Sequence, residues 1–140
     1  MSEPIQNSPS QSAVVGILRR DANVLVIKRS VSVRAPGKIC FPGGGIESGE
    51  TVPMALIREL QEELNIDVSG IREVWKNTTP SGIHLHWWLA EHDPQQPIVC
   101  NPAEVEWACW MTLAEMKASP DLLVSNHQFL EALAKGECSL

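Results

Sequence analysis

The strongest constraint in this chain is a charge pattern on one predicted helix. From about Thr51 to Leu64 the apolar residues recur at helical spacing, and Arg58, Glu59, Glu62 and Glu63 fall in the second half. The three glutamates stand three and four residues apart, which brings their carboxylates to one face. Like charges so placed repel, and the C-terminal half of a helix disfavours anions. Only Arg58 is near enough along the helix to offset them. Fold stability gains nothing from this arrangement. A hard divalent cation, which takes carboxylate oxygens, would explain it. The competing reading is a plain solvated acidic helix.

The flanking residues extend the pattern. Gly44 is followed after five residues by Glu50, and after seven more by Arg58-Glu59-Leu60-Gln61-Glu62-Glu63-Leu64-Asn65-Ile66. This resembles the signature of the Nudix hydrolases, G-x5-E-x7-R-E-U-x-E-E-x-G-U, with U a bulky aliphatic. One specified position departs, because Asn65 stands where the signature has its second glycine. That position follows the helix and calls for left-handed backbone, which Asn accepts most readily after Gly.

The resemblance implies an α/β fold, an α/β/α sandwich with a mixed sheet. It also implies a Mg2+-dependent hydrolase, with Mn2+ as an alternative ion. On it, Glu59, Glu62 and Glu63 are metal ligands, and one of them acts as base. In the mutator-type branch the base would be Glu59. Arg58 and Glu50 carry over as an ion pair that orients the glutamates. The backbone of Gly43 and Gly44 would approach metal and phosphate closely, where a side chain would interfere. The residues alone leave Arg58 open as a helix-face salt bridge or a phosphate contact, and Glu50 as a partner of the helix dipole.

Composition agrees with a small soluble enzyme. The 140 residues suit one domain, expected over residues 13–140, with a real core. Residues 1–12, MSEPIQNSPSQS, read as a disordered polar leader rather than a signal peptide. A net charge of −6 argues against binding a nucleic-acid polymer. No apolar run approaches membrane-spanning length. Cys40, Cys100, Cys109 and Cys138 form no C-x-x-C pair, so reduced structural thiols in a cytoplasmic protein are expected. The sequence leaves the oligomeric state open.

Apolar runs at Ala13–Arg19 and Val24–Arg29 predict neighbouring strands. A loop over Val31–Lys38 leads to a short strand, Lys38–Phe41, and a tight turn at Pro42-Gly43-Gly44-Gly45. In the helix that follows, Pro53 is tolerable only near the start. Leu56, Ile57, Leu60 and Leu64 predict an apolar stripe beside the glutamate face. Further strands are expected at Gly70–Thr78, Ile83–Glu91 and Trp107–Met111, and helices at Leu113–Ala118 and Ser125–Lys135.

Other candidates lie outside this stretch. Glu104, in a loop before a strand, sits where many Nudix enzymes have an added ligand or base, and Glu106 is its alternative. Arg29 ends a strand facing the same region and is a candidate for a terminal phosphate. The competing view of each is a surface charge. His84 and His86 share a strand face, but no third ligand is evident, so polar strand-face residues are expected. Of Trp75, Trp87, Trp88, Trp107 and Trp110, most belong in the core.

Three comparisons bear on substrate. Arg29, Ser30 and Arg34 match part of the upstream motif of coenzyme A diphosphatases, but Pro36 replaces its histidine. Diadenosine-polyphosphate hydrolases place a tyrosine after the box, and this chain has none. The Glu104-x5-Trp110-Met111-x-Leu113 segment and Asn126 sit where the mutator-type branch has them. There the asparagine bonds a purine edge, as an amide can. As a bare sequence feature Asn126 reads as an N-cap. The expected substrate is a small-molecule nucleotide, a nucleoside triphosphate, oxidised forms included, cleaved to monophosphate and pyrophosphate. The alternatives are a dinucleotide, nucleotide-sugar or coenzyme A pyrophosphatase, and a non-catalytic nucleotide sensor.

Overall fold

The computed structural model describes residues 11–140. Most of the expected leader therefore lies outside the described residues, and Ser12 already opens a strand. The elements run β1 (Ser12–Arg20), β2 (Asn23–Arg29), β3 (Ile39–Cys40), β4 (Gly43–Gly45), α1 (Val52–Leu64), β5 (Val68–Thr78), β6 (His84–His92), β7 (Val105–Thr112), α2 (Leu113–Ala118) and α3 (Val124–Ala134).

The sheet is mixed. β1 runs parallel to β6 and antiparallel to β2 and β4, while β2 pairs antiparallel with β3 and β7. β5 continues the sheet beyond β6. The β1–β2 turn places Asp21 at φ +56°. The two strands pair only at Arg19↔Val24 and Arg20↔Asn23, then part company.

Helices cover both faces. Val24 to Ile27 are all buried, as expected of a strand covered on both sides. Leu25 and Ile27 join the core under α1, with Leu56, Leu60 and Leu64. Val24 and Val26 join the core under α2 and α3, with Met116, Phe129 and Leu130. Trp87 is fully buried there and stacks on Phe129 with ring centroids 4.6 Å apart. The other four tryptophans are only partly buried. Among the described residues, no helix is long and apolar enough to cross a membrane.

Two local expectations are corrected. Gly43–Gly45 is a strand rather than a tight turn, with Val15 opposite Gly43 and Ala13 opposite Gly45. A Cβ at Gly43 would collide with the Val14 carbonyl, so glycine is what allows this close pairing. Ile57 leaves the apolar stripe and is 43% exposed; Ala55 is buried instead. The buried apolar stripe is therefore Ala55, Leu56, Leu60 and Leu64.

Candidate active site

Helix α1 is fixed at both ends. Thr51 is its N-cap, and its Oγ1 accepts from the Met54 N–H at 3.2 Å. Asn65 ends it in the left-handed conformation, φ 56° and ψ 37°, as expected of the residue replacing glycine. Its Nδ2 also donates to the Val99 carbonyl at 2.6 Å, a bond glycine cannot make.

The glutamates diverge. Carboxylate oxygens of Glu59, Glu62 and Glu104 all lie within 4.8 Å of one another. Among the described residues this is the one group of three His, Cys, Asp or Glu side chains close enough to share a cation. Glu63 is turned toward β4, where its Oε1 accepts from the Gly43 N–H at 3.0 Å. Burial pushes the Glu63 carboxyl well above its ordinary pKa, the Glu59 charge adds to this, and the Gly43 bond opposes it. Burial also raises Glu59, which Arg58 opposes and the charges of Glu62 and Glu104 reinforce.

Arg58 organises the cluster. Its Nε and Nη2 fork onto Glu50 at 2.7 and 2.9 Å, and Nη2 also donates to the Gly45 carbonyl at 2.8 Å. Nη1 reaches Glu59 at 3.1 Å and Glu62 at 3.3 Å. A guanidinium has five N–H groups, so none is left for a phosphate. The structure thus favours the ion-pair reading of Arg58 over the phosphate-contact one. Arg58 and the Glu47 N–H together pull Glu50 down to a pKa of about 2.

Gly44 stands between this cluster and a cavity of about 800 Å3. A Cβ there would overlap the Glu59 carboxylate, so the glycine is required by a neighbouring side chain of this chain. The cavity lies against the first half of β1, where β4 rather than β2 is its neighbour. Arg29 and Arg34 line it, as do Cys40, Phe41, Leu85 and Asn126. Arg29 donates from Nε to the Arg34 carbonyl at 2.6 Å, which leaves its other nitrogens for a ligand.

Asn126 is not an N-cap. The cap position of α3 is Leu123, and Asn126 is the third helical residue, only 2% exposed. Its Oδ1 accepts from the Phe41 N–H at 2.9 Å, and its Nδ2 donates to Ser125 Oγ at a longer 3.2 Å. Glu106 is bound elsewhere, with its carboxylate 3.7 Å from Lys28 Nζ. His84 and His86 point their Nδ1 atoms at Thr78 and Glu73, outside the acidic cluster. Phe41, Leu85 and Ser125 escaped the sequence reading. They come from three separate segments, and no local spacing marks them.

The sequence pattern of the NUDIX domain matches residues 9–133. The 8-oxo-dGTP diphosphatase of Escherichia coli (strain K12) is 34% identical over 97 residues, spanning 66% of this chain and 75% of that protein. The CTP pyrophosphohydrolase of the same organism is 34% identical over 102 residues, spanning 65% and 76%. The fold matches the solution structure of the E. coli ORF135 protein with a TM-score of 0.74 at 28% identity, covering 91% and 90% of the two chains. It matches the MutT protein from Methanosarcina mazei Go1 with a TM-score of 0.76 at 18% identity, covering 90% and 94%. The chain belongs to the Nudix family. Within it the relatives are of the MutT type, and the chain is a hydrolase of acid anhydrides in nucleoside diphosphate-linked compounds.

Proposed function

We propose that this chain is a Mg2+-dependent pyrophosphohydrolase of a purine nucleoside triphosphate, oxidised forms included, yielding the monophosphate and pyrophosphate. The supporting observation is the Glu59–Glu62–Glu104 set, whose Glu59 carboxylate lies against Gly44 in the cavity wall. Three carboxylates are the hard oxygen donors that Mg2+ and Mn2+ take, and their mutual repulsion disposes the site to a cation. These three carboxylates would hold a divalent cation, whose chemistry there would be to neutralise diphosphate charge and to make a bound water more acidic.

The chain's own residues do the rest. Glu59 is the base, as the resemblance to the mutator-type branch implies; it is the buried member of the set, and Arg58 holds its Oε1 at 3.1 Å. Glu63, tied to the Gly43 N–H, fixes the approach of β4 to the helix and stands next to the ligand set. The Gly43 carbonyl would supply a further oxygen ligand to the cation. Arg58 and Glu50 hold Glu59 and Glu62 in orientation. Arg29 meets a terminal phosphate. Asn126 presents its amide N–H to a purine acceptor, since Phe41 occupies its Oδ1.

Four free thiols suit a reducing compartment such as the cytoplasm. The test is a phosphate-release screen over dNTPs, oxidised dNTPs, ADP-ribose, NADH and coenzyme A, with and without Mg2+. We expect a purine triphosphate to turn over best and to release pyrophosphate only with the cation. Turnover of the dinucleotides alone would instead favour a dinucleotide pyrophosphatase. Nucleotide binding with no turnover of anything would favour a sensor.

A further inference from the structure

Glu104 sits in a loop, yet its carboxylate belongs to a set whose other members are on a rigid helix. A side chain in such a set must be held as firmly as its partners. The loop supplies no secondary structure for this, so other residues must do so.

Two polar residues meet the loop from opposite sides. Ser30 follows β2 and is 5% exposed. Its N–H donates to the Glu104 carbonyl at 3.0 Å, and its Oγ donates to the neighbouring Ala103 carbonyl at 2.9 Å. The β2–β7 register shifts between Lys28 and Arg29, just where β2 turns to meet this loop. Such irregularities re-aim a strand end.

Asn101 holds the other side and ties the loop to the end of α1. Its N–H donates to the Glu63 carbonyl at 2.9 Å, and its Nδ2 to the Glu62 carbonyl at 3.2 Å. These are carbonyls of the last helical turn, which lack partners within the helix. Its Oδ1 accepts from the Ala103 N–H at 3.1 Å, and its carbonyl accepts from the Glu104 and Val105 N–H groups at 2.9 and 2.8 Å. Glu104 is therefore bonded at both its N–H and its carbonyl. The helix carrying Glu62 is joined to the loop carrying Glu104 through the backbone and the side chain of Asn101.

We propose that Ser30 and Asn101 are positioning residues that together clamp the Glu104 loop and so set its carboxylate against Glu59 and Glu62. This rests on the reading of Glu104 as a member of the cation set. Neither residue reaches the carboxylates, so each acts through Glu104.

The test is Mn2+ binding to the full chain, followed by loss of the free-ion EPR signal. It uses Ser30→Ala, Asn101→Ala, Glu104→Gln and the Ser30→Ala/Glu104→Gln double variant. Ser30→Ala and Asn101→Ala should each weaken Mn2+ binding about tenfold, the scale for losing a group that orients a ligand. In the Glu104→Gln background, Ser30→Ala should add almost nothing. With a turned-over nucleotide, kcat should fall while KM holds, because neither residue lines the cavity. If Glu104→Gln weakens Mn2+ binding but Ser30→Ala does not, the clamp is wrong and the Glu104 reading stands. If the Ser30→Ala loss persists in full beside Glu104→Gln, Ser30 does not act through Glu104. If Glu104→Gln leaves Mn2+ affinity unchanged, the Glu104 reading falls and takes the clamp with it. Should Asn101→Ala fail to fold, Ser30→Ala alone decides.

Discussion

Arg58 commits both edges of its guanidinium to carboxylates, and its fork on Glu50 is the strongest type of side-chain ion pair. Lysine carries the charge but not the fork, so Arg58→Lys should lower kcat even though net charge is kept. The Glu50 partner makes the pair readable by pH. Its folded pKa, about 2, lies below the ordinary 4.5. A depressed carboxyl contributes stability above the ordinary value and loses it as pH falls through the folded one. The urea midpoint of wild type should thus exceed that of Glu50→Gln near neutrality, and the gap should close between about pH 4.5 and 2. With Oδ1 held by Phe41, Asn126→Ala removes one donor to a base and orphans a buried N–H. KM for a purine triphosphate should rise by the low end of about 1–3 kcal/mol of discrimination, and a pyrimidine should be spared. Stability should drop by about 1–3 kcal/mol, because Phe41 is left unpartnered. Equal KM effects on both bases would remove the case for a purine.

At the scale of elements, α1 carries the account, and its C-terminus is its most telling point. Asn65 is left-handed and bonded to Val99. Asn65→Ala should destabilise by about 1–2 kcal/mol from the backbone alone. Asn65→Gly relieves that strain and should lose only the side-chain bond, so its denaturation midpoint should fall between Asn65→Ala and wild type. The extents of α1 and of the longer strands were legible because they follow from local periodicity and from Thr51, Pro53 and Asn65. So were the left-handed turn at Asn65 and the Arg58–Glu50 pairing implied by the Nudix resemblance. What was not legible depends on distant partners. Gly43–Gly45 has no side-chain pattern, so nothing local shows that it pairs with β1. Helical spacing puts Glu63 beside Glu59, but it cannot show that the Gly43 N–H turns its carboxylate toward β4. Asn126 looks like a cap because its role is set by Phe41, 85 residues away.

At the scale of the molecule, two cores grip one sheet from opposite sides, and the site lies where that sheet is least continuous. β1 and β2 separate after two paired residues, β4 takes the place of β2 beside β1, and residues of β1, β4 and β6 line the cavity. The α1 core sets the glutamates, while α3 and the residues after β3 set the Asn126 end of the cavity. Metal-free, the glutamate set is a concentration of like charge on a rigid frame. A cation that binds only the folded state should therefore raise the melting temperature in step with its concentration. The most direct test of the central claim is turnover of Glu62→Gln at saturating Mg2+, with its fold checked by circular dichroism. Glu62 is the exposed member of the set, so the substitution leaves the core untouched. The kcat should fall by about a hundredfold, and the metal-free melting temperature should stay at or above that of wild type. Wild-type kcat in a folded Glu62→Gln would contradict it.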